Sequence, residues 1–199
     1  MRNDYQYLDS DYIYTNPQNG VLRNLLGIEN KNDLSFAETV TTTKRATELE
    51  ANPIIVVSAD SLFDIHRYLF QDVYEWAGKQ RTVEISKDGK QFFPISHFDN
   101  AIVYINSLIT DYKRLDKGNK QKLADALALI LDNVNFLHPF REGNGRAQRE
   151  FLRLLALEKG WLLNLNPPDI ADVYEKYMSG TINSDIETLA RLIHMQMSE

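Results

Sequence analysis

Apolar residues recur at helical spacing along most of this chain, and the period changes in only one short stretch. After an irregular start with turn residues at Asn16-Pro17-Gln18-Asn19-Gly20, the apolar set Val21, Leu22, Leu25 and Leu26 predicts a short helix that stops at Gly27. Residues 34–50 read as a second helix despite several β-branched threonines, because Leu34, Ala37, Ala46 and Leu49 can share faces and Pro53 supplies a stop. From Ser58, a capping residue, Leu62, Ile65, Leu69 and Phe70 fall at helical spacing, and Val73, Tyr74 and Trp76 carry the pattern on to a break at Gly78. Between Gly78 and Pro94 the pattern is that of a β-hairpin: Thr82, Val83 and Ile85, a Lys87-Asp88-Gly89 turn, then Gln91, Phe92 and Phe93.

Helical spacing resumes at Ile102, Ile105, Leu108, Ile109 and Tyr112, and the polar segment Arg114 to Asn119 closes that helix. Leu123, Leu127, Ile130, Val134 and Leu137 form a continuous stripe, the mark of a central helix ending at His138-Pro139. A short loop, Phe140 to Gly145, separates it from a helix running through Arg146, Arg149, Phe151, Leu154, Leu155 and Leu157 to Gly160. Pro167-Pro168 then turns the chain into two final helices near 169–178 and 185–197, so the expected architecture is mostly α with one hairpin.

Composition narrows the classes. A length of 199 residues suits one domain that buries roughly 70% of its unfolded surface. With 43% hydrophobic and 25% charged residues the chain reads as an ordinary soluble globular protein. A net charge of −6 argues against direct nucleic-acid binding or attraction to anionic lipid. The absence of Cys excludes disulfides, thiolate metal sites and a cysteine nucleophile, and makes a reducing cytoplasm the expected location. The polar, aromatic N-terminus lacks the apolar core of a signal peptide, and no apolar stretch approaches the ~20 residues that a membrane span needs.

The chemistry concentrates in His138-Pro139-Phe140-Arg141-Glu142-Gly143-Asn144-Gly145-Arg146-Ala147-Gln148-Arg149. Gly143 and Gly145 let backbone N–H groups at the start of a helix approach a ligand closely, and a helix N-terminus favours anions. Arg146 and Arg149 add two permanent cations on neighbouring parts of one face, with fork geometry for phosphate oxygens. Glu142 puts a hard oxygen beside that anion site, where Mg²⁺ could arrive with a nucleotide. His138 could accept a proton from an incoming hydroxyl, and Asn144 offers an amide donor to a non-bridging oxygen. Together these describe phosphoryl-type transfer catalysed by positioning and charge stabilisation.

At every constrained position the stretch matches His-Pro-Phe-x-(Asp/Glu)-Gly-Asn-Gly-Arg-x-x-Arg, so the chain resembles the Fic family. With residue frequencies of roughly 5% each, such a match arises by chance in fewer than about one chain in 10⁸. The resemblance extends to Asp64–Phe70, Val73–Lys79 and Gly20–Asn24, and spans most of the chain. It implies an all-α Fic fold, a helical bundle with a small β-hairpin flap, as one domain over 1–199: flap at about 80–94, motif at 138–149, C-terminal helices at 169–199. It further implies protein AMPylation, the transfer of AMP from ATP to a Ser, Thr or Tyr hydroxyl of a target protein.

In this reading His138 is the general base and Glu142 carries Mg²⁺. Gly143, Asn144 and Gly145 form the anion hole for the α and β phosphates, and Arg146 and Arg149 hold the β and γ phosphates. Asn135 either buttresses the loop or reaches the nucleotide, and is counted among the ATP-binding residues with Lys87 and Asp88 of the flap tip. The flap, with Ser86, Lys87, Asp88 and Gly89, docks the target by β-augmentation. Phe140, Tyr74 and Trp76 read as packing residues, Arg153 as solvated or ion-paired, and His66, His97 and His194 as structural or exposed.

Many Fic proteins carry an inhibitory (Ser/Thr)-x-x-x-Glu-(Gly/Asn) helix whose Glu pairs with the second motif arginine. No Ser or Thr here is followed by Glu at that spacing. The resemblance therefore implies a bacterial toxin held inactive by a separate small antitoxin, with type II topoisomerases (DNA gyrase, topoisomerase IV) as the expected targets. One alternative is a Doc-like kinase toxin, whose motif has Lys where Gly145 stands. The others are a nucleotide-binding regulatory module without transferase activity and a secreted effector that modifies host proteins.

Overall fold

The computed structural model describes residues 5–7, 12–87, 90–167 and 170–199. Its helices are α1 (Lys31–Ala51), α2 (Asp60–Phe70), α3 (Phe98–Arg114), α4 (Lys120–Leu137), α5 (Asn144–Glu158), α6 (Ala171–Asn183) and α7 (Ile186–Gln196). The axis is α4, whose stripe of Leu123, Leu127, Ile130, Val134 and Leu137 is fully buried between α3, α5 and α7. Removing such side chains from water supplies the main stabilisation, roughly 1.5–3 kcal/mol each. Three strands, β1 (Tyr5–Tyr7), β2 (Ile85–Lys87) and β3 (Lys90–Gln91), make one antiparallel sheet in the order β1-β2-β3. A second pair, β4 (Leu162–Leu163) with β5 (Met197–Ser198), staples the end of α5 to the C-terminus. The fold is all-α with a small sheet, as expected, and among the described residues no helix is long and apolar enough to cross a membrane.

Local chemistry explains the helices and two departures from expectation. Asn30 caps α1 by accepting from the N–H groups of Asn32 and Asp33, at 2.8 and 3.2 Å. Within α1 the hydroxyls of Thr39, Thr41, Thr42 and Thr47 are satisfied by donating to the carbonyl four residues back. Residues 21–26, by contrast, form no helix. The Asn24 side chain donates to the carbonyls of Leu22 and Ile28 and accepts from the Ile28 N–H, so it closes a loop in place of the helical bonds. The helix predicted to reach Gly78 ends at Phe70: Val73, Tyr74 and Ala77 close successive turns, which bring Tyr74 and Trp76 back over α2.

The hairpin forms, but with a partner that the sequence pattern missed. Tyr5, Gln6 and Tyr7 pair with Lys87, Ser86 and Ile85, so β2 is the middle strand of the sheet. Ser86 and Lys87 therefore have strands on both sides, which corrects the expectation that this segment offers an open edge for a target. Asp88 and Gly89 lie outside the described residues, as does Pro168.

An aromatic stack joins α2 to the loop between α4 and α5. The His66 ring lies on Phe140 at 3.7 Å and on Phe70 at 4.5 Å. Its Nδ1 accepts from the Gly78 N–H at 2.9 Å, so Nε2 carries the proton and donates to the Glu142 carbonyl at 2.9 Å. Burial pushes this imidazole down to about 3, against the opposing effect of the Glu142 bond. Between pH 6.5 and that value the unfolded chain binds a proton that the folded chain refuses. Stability is thus complete above pH 6.5 and declines below it, by up to about 1.4 kcal/mol per pH unit for each such histidine. His66→Gln should lower the melting temperature at pH 7 but lose less of it than the natural chain on going to pH 5. Parallel slopes in thermal unfolding would refute the assignment.

Candidate active site

The apolar stripe of α4 ends at Leu137, and the next residue turns the chain. His138 adopts a left-handed conformation, φ 44° and ψ 59°, a position costly for a side chain other than Gly and therefore held by its surroundings. Its N–H donates to Val134, its carbonyl accepts from Arg81 Nε at 2.9 Å, and its ring stacks on Phe92 at 3.8 Å. Nδ1 faces the Asn135 carbonyl at 3.3 Å, which makes it the donor and leaves Nε2 as the basic nitrogen. Burial holds the imidazole down to about 3; the Asn135 bond opposes this, and the charges of Arg81 and Lys87 add to it. The ring is neutral at pH 7.

The chain then reverses within residues 138–143. Asn144 clamps the reversal: its Oδ1 accepts from the Phe140 N–H at 2.9 Å and its Nδ2 donates to the Phe140 carbonyl at 2.7 Å. The Asn144 side chain is buried and positions the loop through these two bonds. Gly143 precedes α5 with φ +82°, and a Cβ there would meet the Phe70 ring at 2.3 Å. Among the described residues the N–H groups of Asn144 and Gly145 begin α5 without backbone acceptors, as first-turn donors do, and donors of this kind suit an anion.

His138, Glu142, Gly143, Gly145, Arg146 and Arg149 line a cavity of about 510 Å³ with Lys87, Gln91 and Phe92 of the flap and Tyr174, Tyr177 and Met178 of α6. Glu142 accepts from the Gly143 N–H at 2.9 Å through one oxygen. Asn135 lines the cavity too, while its amide donates to the Thr181 carbonyl at 3.0 Å and ties α4 to the end of α6. Arg149 lies beside the stacked Tyr174 and Tyr177 rings, 5.4 and 5.3 Å from their centroids, and among the described residues no carboxylate is within ion-pair distance of it. Arg146 lines the same cavity but differs in its partners: its guanidinium binds the buried carboxylate of Glu38 on α1 and lies 3.8 Å from Glu142.

Sequence reading missed two residues that build this site, Arg81 and Glu38, whereas His66, read as structural or exposed, is structural. Arg81 is fully buried and donates to the carbonyls of His138, Val83 and Phe93, so one guanidinium joins the flap to the loop. Its sequence signal, a lone charge before a β pattern, does not distinguish it from a surface arginine. Glu38 is equally silent in sequence, because its partner is 108 positions away. Phe140 is buried, as expected, and Arg153 pairs with Glu150.

Comparisons with known proteins agree with this arrangement. Residues 56–156 match the sequence model of the Fic/DOC family. The probable protein adenylyltransferase Fic of Salmonella typhimurium is 33% identical over 94% of this chain and 92% of its own length. The protein adenylyltransferase VbhT of Bartonella schoenbuchensis is 36% identical over 78% of this chain, which spans 33% of that protein. Among solved structures, the BepC effector of Bartonella tribocorum with bound AMPPNP superposes with a TM-score of 0.82 at 21% identity, over 93% of this chain and 96% of that one.

The two motif glycines should respond differently to the same substitution. Gly143→Ala meets both a positive φ and the Phe70 ring, and should destabilise the fold by about 2–4 kcal/mol. Gly145 has ordinary backbone angles, and its Cβ would meet only the Arg149 guanidinium end at 3.3 Å. Gly145→Ala should leave the melting temperature within about 2 °C and weaken nucleotide binding instead. Calorimetry of both variants checks this; equal melting losses would contradict it.

Proposed function

This chain belongs to the Fic/DOC family, and on that footing we propose that it is a protein adenylyltransferase that moves AMP from ATP to a hydroxyl of a target protein. The observation that carries the reading is the convergence on one cavity of a neutral His138, Gly143 and Gly145 at the start of α5, and Arg149. Polyphosphate lies against the first-turn N–H groups of α5 and Arg149. The target hydroxyl oxygen attacks the α-phosphorus, its proton passes to His138 Nε2, and the bond from the α-phosphorus to the departing pyrophosphate breaks. The products are the AMP ester of the target and pyrophosphate. Buried phosphates beside the imidazole raise its proton affinity at the moment it is needed.

A metal fits this donor set only as a passenger on the nucleotide. Among the described residues there is no cluster of three His, Asp or Glu, whereas Mg²⁺ is commonly held by one carboxylate together with substrate phosphates. Glu142, partly exposed in the cavity wall, would hold it, and the ion would neutralise charge developing on the phosphates. The target would dock along the outer edge of β3, next to the cavity, because β1 covers the edge of β2. Gly145 favours this reading over a Doc-like kinase, in which Lys occupies that position.

The toxin reading, with type II topoisomerases as targets, a cytoplasmic site of action and a small antitoxin, belongs to the same proposal. Arg149 has no carboxylate partner among the described residues and lines a second cavity of about 940 Å³ between α1 and α5, through which an outside carboxylate could reach it. Expression alone should then arrest bacterial growth, and co-expression of a neighbouring small reading frame should relieve it.

The decisive test is incubation with lysate and ATP labelled at either the α or the γ phosphate. Transfer of label from α only is expected; transfer from γ would make the chain a kinase. His138→Ala should reduce transfer by at least about 10²-fold while nucleotide affinity stays within a few-fold. Near-natural rates in that variant would remove His138 from the mechanism.

A further inference from the structure

The first motif arginine has a partner that no motif predicts. Arg146 Nη2 donates to Glu38 Oε1, and its Nη1 lies 3.5 Å from Thr42 Oγ1, so both terminal nitrogens turn toward α1. The guanidinium carbon sits 4.7 Å over the Phe70 ring, which fixes its plane. Glu38 is itself held, since it accepts from the Tyr74 hydroxyl, and its side chain is only 10% exposed. The same Nη2 lies 3.8 Å from Glu142 Oε1, beyond hydrogen-bond reach. One cation thus stands between two carboxylates and is bound to the one on α1.

We infer that Glu38 is a positioning residue of the active site: by holding Arg146 on α1 it keeps that guanidinium off the phosphates and off Glu142, so that Glu142 stays available to a divalent cation. The inference rests on the nucleotide reading above and goes beyond it, because it makes α1, outside the motif and outside the matched family region, part of the metal-binding machinery. The physical argument is competition. Arg146 is only partly buried, at 30% exposed, and on losing the Glu38 carboxylate its guanidinium is drawn to the nearest remaining one. Glu142, in the loop just before α5, is already within ion-pair distance at 3.8 Å and would close to hydrogen-bond distance. A carboxylate captured in this way offers less charge and fewer lone pairs to Mg²⁺. Arg149 and the first-turn N–H groups of α5 are untouched by the exchange, so binding of metal-free nucleotide should change little.

The test separates metal affinity from nucleotide affinity and from folding. Mn²⁺ is titrated into the chain saturated with AMPPNP and followed by electron paramagnetic resonance, and AMPPNP binding in EDTA is measured by calorimetry. Glu38→Gln should weaken Mn²⁺ binding by on the order of ten-fold while AMPPNP affinity in EDTA stays within about three-fold. The double variant Glu38→Gln/Arg146→Gln removes both the holder and the competitor, and should return Mn²⁺ affinity to within about two-fold of the natural chain. Tyr74→Phe, which removes a hydrogen bond but no charge, should leave Mn²⁺ binding nearly unchanged. If Glu38→Gln does not fold, Arg146→Gln decides alone: Mn²⁺ should bind at least as tightly as in the natural chain. Unchanged Mn²⁺ affinity in Glu38→Gln, failure of the double variant to recover, or loss of Mn²⁺ in Arg146→Gln would each overturn the inference. Failure of the natural chain to bind AMPPNP would overturn the nucleotide reading, and this inference with it.

Discussion

Between the end of α4 at Leu137 and the start of α5 at Asn144 the chain must reverse direction while pointing a histidine and a row of N–H groups into one cavity, and the rest of the site depends on how that reversal is held. Three local devices hold it. His138 takes the left-handed conformation that ends α4, Asn144 closes a ring of two hydrogen bonds on Phe140, and Gly143 lets the backbone pass against the Phe70 ring. None of them is stable alone, because each spends backbone freedom and buries polar groups. They persist because Phe140, His66 and Phe70 stack beneath them and because the core around α4 is large enough to offset their cost.

Buried charge is the second theme. Arg81 and the Glu38–Arg146 pair sit where desolvation alone would be unfavourable, and each is satisfied by several partners. Arg81 uses backbone carbonyls from the flap and the loop together with the Glu84 carboxylate, and burial still draws its guanidinium below its ordinary value. Glu38 uses a phenol and a guanidinium, and the phenol of Tyr74 is held well above its usual range by burial and then by the carboxylate. Such groups contribute little net stability. What they contribute is geometry: these bonds tie the flap and α1 to the motif loop.

The sheet shows how an element far away in sequence changes what a surface can do. A hairpin of two short strands would present two free edges, but pairing of β1 with β2 leaves only the outer edge of β3 next to the cavity. Phe92, following β3, stacks on His138, and Phe93 donates its N–H to the Phe136 carbonyl. The strand nearest the catalytic loop is therefore also the one anchored to it.

Helical periodicity alone located α3, α4, α5 and α7 closely, because each buries a continuous stripe against the core and that requirement is written at fixed spacing. The motif over 138–149 likewise identified the family and the cavity-lining residues, since close backbone approach demands Gly at particular positions. Other features followed from contacts between distant residues, which no local pattern encodes. The segment at 21–26 lost its expected helix to the side chain of Asn24, and α2 stopped at Phe70 so that Tyr74 could reach Glu38. The division of labour between Arg146 and Arg149, alike in sequence, was decided by which of them α1 could supply with a buried carboxylate. Residue types thus determined what chemistry was possible at this site, and tertiary packing decided which groups remained free to perform it, because a charge or donor is available to a ligand only where the fold has not already used it.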